Sequence, residues 1–297
     1  MRKPHAGWML LCLLTAQQAW ARDYHYSSSS DDPRPYLQAI RKAKLAVDPE
    51  LPTGQRIRAG IVTHHFLASS LMVRFFDTLR SQSSPETIIL IGPNHFHHGL
   101  ANISLSSLPW KTPFGVLETN SSVIQQLRSD LDLPEDPEAF TGEHSVGALV
   151  PFLRYYFPHS RLVPILVDRN AQEICLKTLR IELSKLLENP KVLVLLSMDF
   201  SHNSVASIAD SRDEQARLAI STLDSGRVQE LQIDCRKGLW LVLASLNQLR
   251  HVRAQISEHT NSAQLTGNVA QPDVTSYFTV FFLSDTGRDQ ATSRLYH

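Results

Sequence analysis

Short apolar runs alternate with longer stretches of helical period along most of this chain, from about residue 51 onward. "IRAGIVT" (57–63) and "ETIILIG" (86–92) read as strands of a sheet covered on both faces, because they are near-continuous apolar runs rather than polar/apolar alternations. "ASSLMVRFFDTLR" (68–80) between them has helical spacing. The same reading gives a short strand in "NISLS", a helical face in "VGALVPFLRYYF", a strand in "RLVPILV", a helix in "AQEICLKTLRIELSKLLE" and a strongly apolar strand in "KVLVLLSMD" (191–199). Helices are expected over 208–222, 226–233 and 238–249, and "VTSYFTVFFL" (274–283) closes the sheet. The pattern predicts one α/β domain over 51–284, with a mostly parallel central sheet, helices on both faces and a tail at 285–297.

The start of the chain breaks the pattern. Arg2 and Lys3 precede the apolar run "WMLLCLLTA", and "AWA" at 19–21 has the small-x-small form of a signal-peptidase site. Residues 1–21 are read as a cleaved signal, since the run is shorter than the ~20 residues a spanning helix needs. Residues 22–50, with "RDYHYSSSSDDPRPY" and then the amphipathic "YLQAIRKAKLAV", read as a polar linker and a short surface helix. This predicts a secreted or periplasmic protein with no membrane span after cleavage. The 29 basic and 29 acidic residues balance, so no overall field favours nucleic acid. Loss of Cys12 with the signal leaves Cys175 and Cys235, which in an oxidising compartment can pair with each other.

Candidate chemistry sits at the predicted strand ends. His64 and His65 follow the first strand, His95 follows the second in "IGPNHFHH", and Asp199 and His202 follow the strand at 191. In a parallel sheet these ends lie along one edge, where open α/β folds bind their ligands. His97 and His98 continue into a loop and are weaker candidates.

Six segments in order carry a family resemblance: "IGPNHF" with the preceding "HH", "WKTPFGVLETN", "GEHSVGALVPFL", "VPILV", "SMDFSH" and a late cysteine before a helix. Together they resemble the Memo family, also named AmmeMemoRadiSam system protein B, which is similar in fold to class III extradiol dioxygenases. The resemblance covers about residues 57–284 and implies a metal pocket with His64, His95 and Cys235 as ligands. It also implies acid/base groups beside the pocket, at Asp199 and His202 and at Glu143 and His144. Thr63, His65 and Phe66 depart from the family's Pro, Ala and Gly, and the segment after Cys235 lacks the usual Gly and Pro-Ile. "HTNSAQLTGN" (259–268) resembles a family turn that has lost its acids.

Two imidazoles suit iron, copper or zinc, a thiolate favours softer ions, and a carboxylate in its place favours non-haem Fe(II). The expected cofactor is a transition metal ion, iron or copper ahead of zinc, and the expected partner a small molecule or peptide at the strand-end pocket. Three function classes stay open: a dioxygenase-like oxidoreductase, a metal-binding or redox-handling protein without turnover, and a binding scaffold. Cys235 likewise keeps two uses, as a ligand or as a bridge to Cys175.

Overall fold

The computed structural model describes residues 26–43, 51–52, 54–268 and 270–285. The segments read as a signal and as a tail after Asp285 lie outside these residues. The strands are β1 (Tyr26–Ser27), β2 (Gln55–Val62), β3 (Thr87–Pro93), β4 (Ile103–Leu105), β5 (Trp110–Thr112), β6 (Gly115–Leu117), β7 (Arg161–Val167), β8 (Val192–Ser197), β9 (Val252–Asn261) and β10 (Ser276–Asp285). The helices are α1 (Arg34–Ala43), α2 (Ser69–Gln82), α3 (Ser121–Leu131), α4 (His144–Gly147), α5 (Val150–Tyr156), α6 (Glu173–Glu188), α7 (Ala206–Ser221), α8 (Arg236–Leu246) and α9 (Ser262–Thr266).

Every residue of β3 and β8 is buried, which is why their sequences run apolar without alternation. Successive side chains divide between two cores. Ile89, Ile91, Val194 and Leu196 face one, closed by α6 and α8, while Ile88, Leu90, Leu193 and Leu195 face the other, closed by α2 and α5. Gly60 lets α2 approach closely: a Cβ there would lie 2.6 Å from Phe75 Cζ, and Phe75 stacks on Phe281 at 4.7 Å.

The central sheet runs β4-β7-β3-β8-β2-β10-β9. β7, β3, β8 and β2 are parallel, whereas β4, β10 and β9 pair antiparallel. The sheet is therefore mixed: the expected parallel strands form its centre, and antiparallel strands flank them on both sides. The antiparallel part is β4 at one side and β10 with β9 at the other, and β9 is the strand that the pattern did not reveal.

A correction concerns the N-terminal segment. Tyr26 pairs beside Trp110 in a small sheet of β1, β5 and β6, and α1 buries Tyr36, Ala39, Ile40 and Ala43 against the α2 and α5 core. Residues 26–43 thus belong to the folded unit that the sequence pattern begins at Leu51. Among the described residues Cys175 and Cys235 are both free, so the structure does not bridge them to each other.

Candidate metal centre

Strands β3, β8 and β2 are neighbours in that order, so the residues just past their C-terminal ends share one edge. His64 follows β2, Asp199 follows β8 and His95 follows β3. His64 Nδ1 lies 3.0 Å from Ser197 Oγ, and the two imidazoles meet edge to face with centroids 5.1 Å apart.

Glu143 fixes the second imidazole. Its Oε1 accepts from His95 Nδ1 and from the Ser145 backbone N–H, both at 2.8 Å, while Oε2 accepts from the His95 backbone N–H at 2.8 Å. The loop that delivers Glu143 approaches β3 closely because Gly92 has no side chain; a Cβ there would lie 2.6 Å from Ser145 Oγ. With Nδ1 occupied, each imidazole turns Nε2 inward, the pattern by which outer partners orient metal-binding histidines.

The inward nitrogens converge on a residue the sequence reading did not select. His64 Nε2 lies 3.5 Å and His95 Nε2 3.8 Å from Asp234 Oδ2. That oxygen accepts the Asp199 backbone N–H at 3.0 Å, while Asp234 Oδ1 is buried without a hydrogen-bond partner. An orphaned, buried carboxylate oxygen beside two inward imidazoles fits a cation, because a polar atom buried without a partner is costly. Asp199 stands nearby, with Oδ2 3.8 Å from His64 Nε2 and Oδ1 accepting from the Thr63 hydroxyl. Among the described residues two donor groups have metal-sized spacing, His64 with His95 and His144, and His64 with Asp199 and Asp234, the donor atoms of each lying within 4.8 Å of one another.

Cys235 belongs to neither group. Its thiol is tucked against the start of α8, where a Cβ on Gly238 would lie 2.5 Å from the sulfur and 2.9 Å from Leu196 Cδ1. Burial pushes the thiol well above its ordinary value. The expected ligand is thus one residue away from the carboxylate that faces the imidazoles. Only its place beside Cys235 points to Asp234 in the sequence; no pattern of its own marks it.

Electrostatics separate the two histidines. Burial pushes His64 down to about 3, leaving it neutral. Burial would also lower His95, but Asp234 and Glu143 outweigh it and raise His95 to about 9. Glu143, which burial alone would raise, is held down to about 2 by His95 and the Ser145 N–H. His144 stacks on His95 with centroids 4.1 Å apart and is lowered by burial and by the charge of that neighbour.

His64, His95, His144, Asp199 and His202 line a cavity of about 620 Å³ together with Tyr36 and Phe66. His202 Nδ1 lies 2.8 Å from the Phe200 carbonyl, so it donates there and leaves Nε2 as the basic nitrogen. Asp234 and Cys235 both line a second cavity of about 390 Å³, which His95 also borders. The structure places His65 against Tyr277, at 2.6 Å, and His97 against Asp168. Residues 259–268 form the end of β9 and α9, and none of them lines the larger cavity.

The family model for "Memo-like protein" matches residues 24–280. The chain belongs to the Memo family. A MEMO1 family protein of Pyrobaculum aerophilum is 25% identical over 82% of this chain and 91% of its own length. One from Sulfurisphaera tokodaii is 27% identical over 83% and 90%, and one from Caldivirga maquilingensis is 32% identical over 47% and 50%. Among solved structures, an uncharacterized protein of Escherichia coli K12 superposes with a TM-score of 0.50 at 12% identity, covering 74% of this chain and 98% of its own. This last similarity concerns the fold alone.

Proposed function

We propose that this Memo-family protein is an exported, metal-dependent oxidoreductase of dioxygenase-like architecture that takes a small molecule into the larger cavity. The observation that carries the reading is the pair of inward Nε2 atoms, at 3.5 and 3.8 Å from one carboxylate oxygen, with both Nδ1 atoms already engaged. A transition metal held there, iron or copper ahead of zinc, supplies Lewis acidity and one-electron chemistry at its open positions.

The chain's own residues account for the rest of the site. Ser197 and Glu143 orient the imidazoles. His202, through Nε2, takes a proton from a substrate hydroxyl at the cavity wall and returns it to product. Tyr36 and Phe66 give the cavity the apolar character that small-molecule sites need, and a volume of about 620 Å³ suits such a ligand.

Elemental analysis of the mature chain, purified without a histidine tag under reducing and under aerobic conditions, tests the reading. One equivalent of metal is expected, lost in His64→Ala and in His95→Ala; retention in both variants would remove the metal from the account. Metal uptake with no oxygen consumption across a panel of small phenols would favour the metal-handling reading over the enzymatic one. Export rests on the basic start, the short apolar run and "AWA". Intact mass of protein recovered from the producing cell should lack Met1–Ala21, and a mass retaining them sinks that part.

A further inference from the structure

We propose that Asp234, not Cys235, is the third protein ligand, making the centre a two-histidine, one-carboxylate site selective for Fe(II) over Cu(I). The assignment rests on the metal reading above and replaces the thiolate that the family resemblance implies.

The geometry distinguishes Asp234 from each competing donor. Ligands about 2.0–2.2 Å from one ion stand roughly 3–3.5 Å from each other. Asp234 Oδ2 is 3.5 Å from one inward nitrogen and 3.8 Å from the other, which places one carboxylate oxygen within 4 Å of both imidazoles. Its second oxygen, buried and without a partner, is free to share the same ion.

His144 is also within donor spacing of both histidines, but it stacks on His95 with an interplanar angle of 20°. A ring nitrogen's lone pair lies in the ring plane, so stacked rings aim along nearly parallel lines and do not converge on one ion. Asp199 already accepts the Thr63 hydroxyl on Oδ1 and approaches only His64 with Oδ2. It stands beside the site as the residue whose backbone N–H anchors Asp234.

The cysteine is held away by packing. Its sulfur shares a crowded space with Leu196, Ile91 and the backbone at Gly238, and it belongs to the apolar core on that face. Turning it toward the histidines would empty that space. In ligand terms, exchanging a soft thiolate for a hard carboxylate moves the preference from Cu(I) toward Fe(II).

The test uses the tag-free mature chain. Wild type, Asp234→Asn and Cys235→Ser are titrated anaerobically with Fe(II) and separately with Cu(I), with thermal melts to verify folding. Wild type is also loaded with Co(II) and examined for the near-ultraviolet thiolate-to-Co(II) charge-transfer band, a readout that needs no variant. The expected result is one Fe(II) per wild-type chain, affinity within threefold in Cys235→Ser, loss of about 100-fold or more in Asp234→Asn, and no thiolate band. A thiolate band, or loss of Fe(II) in Cys235→Ser, overturns the assignment while leaving the metal reading in place. Fe(II) retained in Asp234→Asn also overturns it. If wild type takes up neither metal nor Co(II), the metal reading has failed and this assignment with it.

Discussion

Glu143 is 2% exposed, and all three of its hydrogen-bond partners are N–H donors, so both of its oxygens must accept. Glu143→Gln keeps the shape but turns one oxygen into an NH₂ facing a donor. The His95 ring then loses the acceptor that aims Nε2 inward. Metal affinity should fall about 10- to 100-fold, the usual cost of losing an outer-shell partner. A purely structural role would lower only the melting temperature, so the deciding readout is the His95 titration in the metal-free chain, followed by NMR. Removing this carboxylate removes one of the two groups that favour the imidazolium, so the value near 9 should drop while Asp234 still holds it up in part. A His95 titration unchanged in Glu143→Gln would show that Asp234 alone sets it.

At the scale of elements, α8 carries a glycine whose reason is packing. Alanine is favoured over glycine inside a helix by roughly 1 kcal/mol. At Gly238, however, a Cβ would stand 2.5 Å from Cys235 Sγ and 2.9 Å from Leu196 Cδ1, so Gly238→Ala should destabilise the fold by about 1–3 kcal/mol. A urea midpoint equal to or above that of the wild type would contradict this. The same helix shows where sequence reading stops. β2, β3 and β8 were legible because each is an apolar run buried on both faces, and with them came His64, His95 and Asp199 at their ends. Asp234 follows no strand; the packing of α8 on β3 and β8 brings it to the histidines, and nothing local encodes that. β9 escaped because "VRAQISEHTN" is mostly half-exposed, with residues such as Arg253, Glu258 and His259 that blunt any strand signal. Without it, β10 looked like a lone closing strand rather than half of an antiparallel pair. The Ser-rich stretch before α1 read as linker because its large buried anchor is a single tyrosine, Tyr26, set among aromatic rings from distant segments.

For the whole molecule, the same burial sets an alkaline limit. Tyr26, Tyr36, Tyr156 and Tyr277 are all raised above the ordinary phenol value by burial. A group whose folded value lies above its unfolded value contributes stability that is intact below about pH 10 and is lost as the pH climbs further. Phenolate absorbance from these four should therefore appear together with the loss of tertiary structure; its appearance in a still-folded chain would mean the rings are reachable. The centre adds a condition of its own. Its ligands come from the ends of β2 and β3 and from the loop before α8, segments that meet only in the folded chain, so metal should bind the native state and not the unfolded one. Binding of that kind adds about 2.7 kcal/mol at a free concentration 100 times Kd. For a domain of this size that is roughly 5–11 °C in Tm. Stripping the metal with a chelator should lower Tm by this amount and re-addition should restore it, whereas Asp234→Asn should melt at one temperature with or without Fe(II). A Tm indifferent to the metal in the wild type would mean that the ion, if taken up, sits where the fold does not depend on it, and the centre built from His64, His95 and Asp234 would have to be given up.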